Sequence, residues 1–463
     1  MASSRLRQNP ATVFDVFVEV APPDDDEKAF ILWKYPEDFE DEHMLRSITE
    51  FAFPCEFQSS VAVQLFTFVL TDLDSRYTFG FCRHAPRSHT CLCILRRNPS
   101  VNTGVIFSAL PWPELFFKFL NHLASTADSF PIERLTAFLD NAYHQEIPSA
   151  GQTFVAQVFP NKNKMECVCP DYSRLPKIPE NRSLTEYYNA VSEENMISVF
   201  ASLLCERRVV FTSEKLGKLS ACVLASNLLL YPMQCAPMPF IIGVPMSVLE
   251  EARKDTDLSE VAILDIDRKD FSSPFDEVAC LPQDMSGLLF EPKALVLSLL
   301  SFCIICLILL LLLILVLYGV FTFSQMAILK KSLRSSPLVG DGLARSFLRA
   351  IVCLIGGYRE ALQFRPGESI TFNQAAFLQT RPAHFRGFLE KMFHLQIFQQ
   401  FIEDRLQKLN SGEGFMDEFE DECAMYSDKN FNKYKYQYNE WMKNMKKEGG
   451  AFVKHIRSKV NFC

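Results

Sequence analysis

The N-terminal third of the chain repeats apolar residues with the period of β-strands. Within VFDVFVEV (13–20), every second residue from Phe14 onward is apolar, which predicts a strand with one buried face. Two more apolar runs, at 65–70 and 77–82, flank a short polar turn, so this part predicts a β-hairpin. A proline then opens an apolar stripe at helical spacing over 111–126. The N-terminal third therefore predicts a small antiparallel sheet backed by helices.

Farther along, the chain alternates between helical and strand periods and then becomes helical. From about residue 340 onward the helical period dominates, most clearly as a single apolar stripe over 391–410 that ends at Gly412. Between the two thirds, alternation of helix and strand is typical of an α/β lobe with a largely parallel sheet. The alternating segments are 185–206, 207–213, 215–230, 238–244 and 260–267.

The longest apolar run, 295–321, has the composition of a membrane span. No charged residue occurs between Ala294 and Leu329, and a helix of about 20 apolar residues suffices to cross the hydrocarbon core. The run has no polar face of the kind a core helix keeps. We predict an apolar helix over 294–321. Because basic residues follow it, the positive-inside rule would place residues 1–290 outside the cytoplasm.

Composition predicts the opposite topology. The chain opens without the apolar core of a signal peptide, and its 15 cysteines are scattered rather than arranged as a disulfide framework. Both features are typical of a reducing compartment, so we expect a cytosolic N-terminal region and an unglycosylated sequon at Asn181. The net charge of −8 argues against general binding of nucleic acid.

Candidate catalytic and metal-binding residues are few. One short segment gathers potential zinc ligands, but cysteines that alternate along a strand are more typical of core positions; these residues are Cys82, His84, His89, Cys91 and Cys93. The sequence contains no GxxxxGK phosphate loop, GxSxG elbow or HExxH motif. We therefore expect no catalytic residues, no bound metal and no cofactor. Asp72 and Asp74 lie in the hairpin turn, where solvated acids are common.

Several long motifs, in a fixed order over about residues 10–450, carry a resemblance to a known family. They are FTFVLTDLDSRYTFGFCR (66–83), LPKIPENRSLTEYY (175–188), ASLLCERRVVFTSEKLGKLSACVLAS (201–226), CAPMPFIIGV (235–244), GDGLARSFLRA (340–350) and LQIFQQFIEDRLQKLNSGEGF (395–415). The sequence resembles the DENN-domain proteins and, within them, the connecdenn subfamily.

The resemblance implies an α/β plus α fold built as a tripartite DENN module. It has a longin-like N-terminal lobe, a central α/β lobe and a helical C-terminal part, here with an inserted apolar helix. The predicted boundaries are 1–126 for the N-terminal lobe (uDENN), 127–180 for a linker, 181–290 for the central lobe (DENN), 294–321 for the apolar insert, 340–442 for the helical part (dDENN) and 443–463 for a basic tail.

The resemblance also implies a function, namely guanine-nucleotide exchange on a Rab GTPase in clathrin-mediated endocytosis and endosomal recycling. Such proteins act at the cytoplasmic face of clathrin-coated vesicles and endosomes, and the basic tail is a candidate contact for a membrane surface and its phosphoinositides. The GTPase would dock across the two β-containing lobes. The candidate Rab-binding residues are Asp72, Asp74, Arg76, Tyr77, Glu206, Arg207 and Arg208, although charges such as those of CERR (205–208) are also typical of a solvated helix end.

Three segments depart from the family pattern. Residues 96–109 interrupt a strand, 228–240 are shorter than expected for a strand and its connection, and the apolar run replaces a short polar helix. Their sharp borders are typical of exon-level changes, as in an atypical isoform or gene model. Three interpretations stay open: a membrane-associated exchange factor, an inactive isoform or non-catalytic Rab-binding adaptor, and an inaccurate sequence.

Overall fold

The computed structural model describes residues 12–23, 28–55, 62–71, 77–84, 91–97, 112–127, 131–157, 164–171, 173–233, 241–281, 340–365, 368–412, 417–426, 440 and 443. The predicted apolar helix over 294–321 lies outside these residues, as does nearly all of the basic tail. Within the described part of the chain, no helix is both long enough and apolar enough to cross a bilayer.

Five antiparallel strands form the sheet of the N-terminal lobe, as the alternating pattern predicts. They are β1 (Val16–Ala21), β2 (Phe30–Tyr35), β3 (Gln64–Thr71), β4 (Tyr77–His84) and β5 (Cys91–Arg97), in the order β2-β1-β5-β4-β3. Among the strands that the structure describes, β3 lies at an edge of this sheet. Both faces of the sheet are covered, one by α1 (Glu42–Ala52) and the other by α2 (Pro113–Ala127) and α3 (Ile132–Tyr143).

The predicted linker over 127–180 is wrong for much of its length. It contains α3 and the hairpin of β6 (Thr153–Ala156) and β7 (Met165–Val168). The buried side chains of Phe138, Leu139 and Phe154 belong to the same apolar cluster as α2. This segment therefore extends the N-terminal lobe. Its short elements and frequent polar residues hid that role from the periodicity analysis.

The central lobe has the predicted α/β character. Its sheet has the order β11-β10-β8-β9, in which β8, β9 and β10 are parallel and β11 is antiparallel. The strands are β8 (Val209–Ser213), β9 (Ile241–Pro245), β10 (Ala262–Asp265) and β11 (Asp270–Ser272). The helices are α4 (Arg182–Ala190), α5 (Glu193–Leu204), α6 (Leu216–Leu228), α7 (Met246–Asp255) and α8 (Glu277–Cys280).

The segment 185–206, predicted as a single helical stretch, is two helices. Val191 is extended between α4 and α5, and Ser192 accepts a hydrogen bond from the backbone N–H of Asn195. A serine in this position is a favourable N-cap, because it satisfies an amide that lacks an intrahelical partner.

The helical part follows. It comprises α9 (Gly342–Ile355), a 3₁₀ turn (Gly356–Ala361), the short strands β12 (Leu362–Gln363) and β13 (Thr371–Phe372), and the helices α10 (Gln374–Thr380), α11 (Ala383–Met392), α12 (Gln396–Ser411) and α13 (Glu418–Tyr426). The apolar stripe predicted over 391–410 crosses the break between α11 and α12. Gly412 ends α12 with φ of 75°, a conformation that glycine adopts without steric cost.

The central lobe and the helical part share one hydrophobic core. A single cluster of buried side chains runs from Leu175 through the central helices to Cys423 in α13. Leu281 belongs to this cluster, and Gly340 is joined to Ile178 by two backbone hydrogen bonds of 2.7 and 2.9 Å. The helical part is therefore packed as a continuation of the central lobe.

An ion pair is buried within this shared core. Arg405 of α12 is almost fully buried and lies 2.7 Å from Asp417. Its guanidinium also lies over the rings of Phe401 and Phe419. Because a charge without its partner is costly in such an environment, this pair ties α12 to the segment that begins α13.

Candidate functional site

The β3–β4 hairpin carries the first group of candidate residues. Asp72, Asp74 and Arg76 lie outside the described residues. The strand residues that flank this segment are paired, because Tyr77 opens β4 in register with Thr71, the last residue of β3. The chain therefore enters and leaves the segment at the Thr71–Tyr77 end of the β3–β4 pair.

The second group, Glu206, Arg207 and Arg208, divides into residues with different environments. The Glu206 carboxylate accepts a hydrogen bond of 2.6 Å from the backbone N–H of Ile397, in the first turn of α12. No side chain at the N-cap position of α12 makes this bond. Glu206 thus caps a helix of the C-terminal part from the end of α5, with a charge that also suits the helix dipole.

Arg207 also makes contacts within the chain, and its side chain is 41% exposed. Its Nε donates a hydrogen bond to the carboxylate of Glu277 on α8, which is only 5% exposed. Its guanidinium also lies 4.0 Å from the centre of the Phe275 ring, within the range of a cation–π contact. Glu206 and Arg207 thus each make a contact within the chain that a fully solvated helix end would not have.

Arg208 is exposed at the start of β8, and its backbone carbonyl accepts a hydrogen bond from Ala262, at the start of β10. Of the three charged residues in CERR, Arg208 is the most exposed, because Glu206 and Arg207 are each partly buried. It marks the amino-terminal end of the parallel strands.

Helix α6 brings the two groups of candidates to the same end of the molecule. Gly217 packs on the backbone of Leu65, and Ser220 bonds to Thr67, so α6 and β3 run in the same direction. About 12 Å of helix follow Ser220 and about 14 Å of strand follow Thr67. Since α6 runs back across β8, its carboxyl end lies at the level of both the Thr71–Tyr77 end of the β3–β4 pair and Arg208.

A second carboxylate joins the first two lobes. Glu114 of α2 accepts a hydrogen bond of 2.9 Å from the backbone N–H of Arg182, the first residue of α4. Burial raises the pKa of Glu114, and its bonds to the α4 amides only partly offset that effect. Glu114 and Glu206 thus play equivalent parts at the two junctions between lobes.

The opposite end of the central sheet also holds a polar cluster. Carboxyl ends of parallel strands are where α/β folds commonly bind ligands. Here Asp267, just beyond β10, accepts hydrogen bonds from Ser213, the Glu214 amide and Lys218 at 2.7 to 2.9 Å. Burial alone would raise the pKa of Asp267, but these bonds outweigh it and hold the pKa below its usual value. The Asp267 carboxylate therefore lies beside the start of α6, at the carboxyl end of the parallel strands.

The potential zinc ligands do not form a site among the described residues. No group of three or more metal-binding side chains is found in that part of the chain. Cys82 is fully buried, and His84 lies between the rings of Phe53 and Phe66, with Nε2 2.6 Å from the Ala52 carbonyl oxygen. Burial lowers the pKa of His84 to about 4, so the ring is a neutral core side chain near pH 7. His89 lies outside the described residues.

Comparison with known proteins identifies the three parts of the chain. Residues 29–85 match the uDENN domain, 89–235 the DENN (AEX-3) domain and 372–422 the dDENN domain. The chain is 36% identical to DENN domain-containing protein 1B of Mus musculus over 470 residues, which are 97% of this chain and 54% of that protein. It is 35% identical to DENN domain-containing protein 1A of Xenopus laevis over 480 residues, which are 99% of this chain and 42% of that protein.

The three domains in this order define a DENN module, and the chain belongs to the DENN-domain family. Within the family, its similarity is to the connecdenn proteins named DENN domain-containing protein 1A, 1B and 1C, which confirms the resemblance seen in the motifs. The chain spans about half the length of these curated relatives.

Two contacts between distant parts of the chain could not be found from the sequence. Ser220 lies inside an apolar helical stretch, and its partner Thr67 is 153 positions away. The interlobe role of Glu206 depends on an amide 191 positions away. The one local signal was the small size of Gly217 and Ser220, three residues apart on one helix face, which is typical of close packing between backbones.

Proposed function

We propose that this chain is a guanine-nucleotide exchange factor that promotes GDP release from a Rab GTPase in clathrin-mediated endocytosis and endosomal recycling. The observation that carries the proposal is the placement of the β3–β4 hairpin and Arg208 at the same end of two lobes joined by α6. Membership of the DENN-domain family supports it. A GTPase docked at this end would contact both β-containing lobes at once.

The proposed mechanism needs no covalent chemistry and no cofactor. An exchange factor shifts an equilibrium by binding the nucleotide-free GTPase more tightly than the nucleotide-bound form. A hundredfold weakening of nucleotide binding corresponds to about 2.8 kcal/mol of differential affinity. A modest set of polar and aromatic contacts is enough to supply this difference, provided that it holds the GTPase's switch regions away from the phosphates and the magnesium ion.

Among the seven candidate residues, we propose two different roles. Asp72, Asp74, Arg76, Tyr77 and Arg208 contact the GTPase. The side chains of the other two support the surface from behind, since Glu206 bonds to α12 and Arg207 to α8.

Release of a fluorescent GDP analogue from a panel of Rab proteins tests the proposal. We expect the chain to accelerate release from at least one Rab, and Arg208→Glu to reduce that acceleration without lowering thermal stability. Arg268→Glu is the matched control, because Arg268 is 78% exposed just beyond the carboxyl end of β10, away from Arg208. Release at the intrinsic rate with every Rab would overturn the proposal.

A non-catalytic, membrane-associated Rab-binding adaptor, or an inactive isoform, is the second candidate. The observation that favours it is the outer edge of the central sheet, where Ile242 of β9 is 50% exposed and Val248 of α7 is 39% exposed. This edge follows the segment 228–240, which is shorter than the family pattern predicts. Binding to a Rab without faster release of GDP, measured in the same panel, would establish the adaptor in place of the exchange factor.

We further propose that the protein acts at the cytoplasmic face of clathrin-coated vesicles and endosomes. The basic tail, 443–463, would contact the membrane surface and its phosphoinositides by charge attraction. Co-sedimentation with vesicles that contain or lack phosphoinositides tests this step. Equal binding to both kinds of vesicle would contradict it.

A further inference from the structure

The junction between α6 and β3 contains a hydrogen-bonded contact with no other described role. The Ser220 hydroxyl accepts a hydrogen bond of 2.9 Å from the Thr67 amide and lies 2.8 Å from the Thr67 hydroxyl. Ser220 is only 9% exposed. Among the described strands β3 lies at the edge of the sheet, and the bond to Ser220 shows that the Thr67 amide points outward, where a buried N–H needs a partner from outside the sheet.

The same helix face approaches the strand very closely one turn earlier. A side-chain Cβ on Gly217 would lie 3.1 Å from the carbonyl oxygen of Leu65, which is tighter than an ordinary contact. Gly217 thus permits the short distance between helix and strand. Packing of this kind resists separation but is weakly directional, whereas a hydrogen bond has a preferred distance and angle. Ser220 is therefore the group that fixes how far β3 slides or tilts along α6.

The position of the Thr71–Tyr77 end of the β3–β4 pair depends on that register. Thr67 and Thr71 are four residues apart, so this end lies about 14 Å beyond the contact. A tilt of about 5° at Thr67 moves this end by about 1 Å over that length. Displacements of this size are enough to reduce the rate of processes that depend on positioned groups by up to about a hundredfold.

We propose that Ser220 is a positioning residue, which holds the β3–β4 hairpin of the N-terminal lobe in register with the start of β8 in the central lobe, so that one GTPase contacts both. This inference rests on the proposed exchange function and adds a residue outside the docking surface. Glu114 joins the same two lobes at α4, and Ser220 sets the register of β3 against α6.

Steady-state exchange kinetics on the full chain test the inference. We expect Ser220→Ala to lower kcat for GDP release about tenfold, within the range for a displacement of about 1 Å, and to change KM for the GDP-loaded Rab less than about twofold. Ser220→Thr, which keeps the hydroxyl, should restore kcat. Ser226→Ala is the matched control on the same helix, because the buried Ser226 hydroxyl bonds within the central lobe to the Cys222 carbonyl.

Hydrogen–deuterium exchange of the Thr67 amide gives a readout that needs no GTPase. We expect faster exchange in Ser220→Ala and unchanged exchange in Ser226→Ala. If Ser220→Ala fails to fold, Thr67→Val removes the hydroxyl pair but keeps the amide bond, and a smaller fall in kcat is expected.

The outcomes separate the two proposals. If the wild-type chain accelerates GDP release and kcat is the same in Ser220→Ala as in Ser226→Ala, the positioning role is overturned. The exchange function is then left standing. If the wild-type chain accelerates GDP release from no Rab, the exchange function is overturned and, with it, the role of Ser220 in exchange. Unaltered protection of the Thr67 amide in Ser220→Ala would overturn the contact itself.

Discussion

Removal of the Glu206 carboxylate should destabilise the helical part of the protein. The bond from Glu206 to the Ile397 amide, 2.6 Å long, supplies the cap that α12 lacks from its own N-cap residue. Loss of an N-cap acceptor costs about 1 kcal/mol, and loss of a negative charge at a helix N-terminus costs about 0.5–1 kcal/mol more. We therefore expect Glu206→Ala to lower the free energy of unfolding by about 2 kcal/mol.

The backbone of Glu206 allows a sharper version of this experiment. Its φ is 54°, in the left-handed region, which costs a residue with a Cβ about 1–2 kcal/mol. Glu206→Gly loses the cap but relieves this strain, so it should recover about 1 kcal/mol relative to the alanine variant. Glu206→Gln keeps an acceptor oxygen and loses only the charge, for a cost of about 0.5–1 kcal/mol.

Urea unfolding of the four proteins, with amide exchange measured at the first turn of α12, distinguishes the outcomes. The expected order of stability is wild type, then glutamine, then glycine, then alanine. Wild-type stability in the alanine variant would refute the capping argument. If Glu206 were a docking residue instead, the glutamine variant would bind the GTPase more weakly at unchanged stability.

Three further predictions concern other parts of the fold. The folded chain keeps His84 neutral to a pKa of about 4, against 6.5 in the unfolded chain; the unfolded state therefore binds the proton first, and stability should fall by about 3 kcal/mol as the pH drops from 6.5 to 4. His84→Gln should flatten that part of the pH profile of urea unfolding, and an unchanged slope would contradict the assignment. Arg405→Met removes the guanidinium beside the partly buried Asp417 and the buried Glu420, at 2.7 and 3.6 Å, and should cost about 3–5 kcal/mol in urea unfolding; a cost below about 1 kcal/mol would show that these ion pairs are dispensable. Asn181 should carry no glycan, so endoglycosidase should not shift the mobility of the expressed chain, and a shift that Asn181→Gln abolishes would place this region in the lumen.

Periodicity predicted those elements that carry one apolar face within a short window of residues. The strand pattern from Phe14 onward, the β3–β4 hairpin and α6 all appear near their predicted positions. In each case, one strongly apolar face faces the core, and that requirement is visible in a short window of residues.

The interlobe contacts could not be predicted in the same way. From the sequence alone, the three charged residues of CERR were equally good candidates for the docking surface. Their different environments depend on Ile397, Glu277 and Phe275, all at least tens of residues distant. The environment of the Cys/His cluster, by contrast, could be predicted locally. Cys82 and His84 are both buried, and their spacing of two residues along a strand places them on the same face.

The bridge between Ile178 and Gly340 has a consequence for membrane topology. The chain leaves the described fold at Leu281 and rejoins it at Gly340, and both residues are attached to the core shared by the central lobe and the helical part. A bilayer crossed an odd number of times between these two points would place them in different aqueous compartments, and they could not then belong to the same core. Only an even number of crossings, zero included, is compatible with this fold. Whether the number of membrane crossings is even or odd therefore decides whether an intact DENN module is compatible with membrane insertion. The length of the apolar run and the charges that flank it do not decide this.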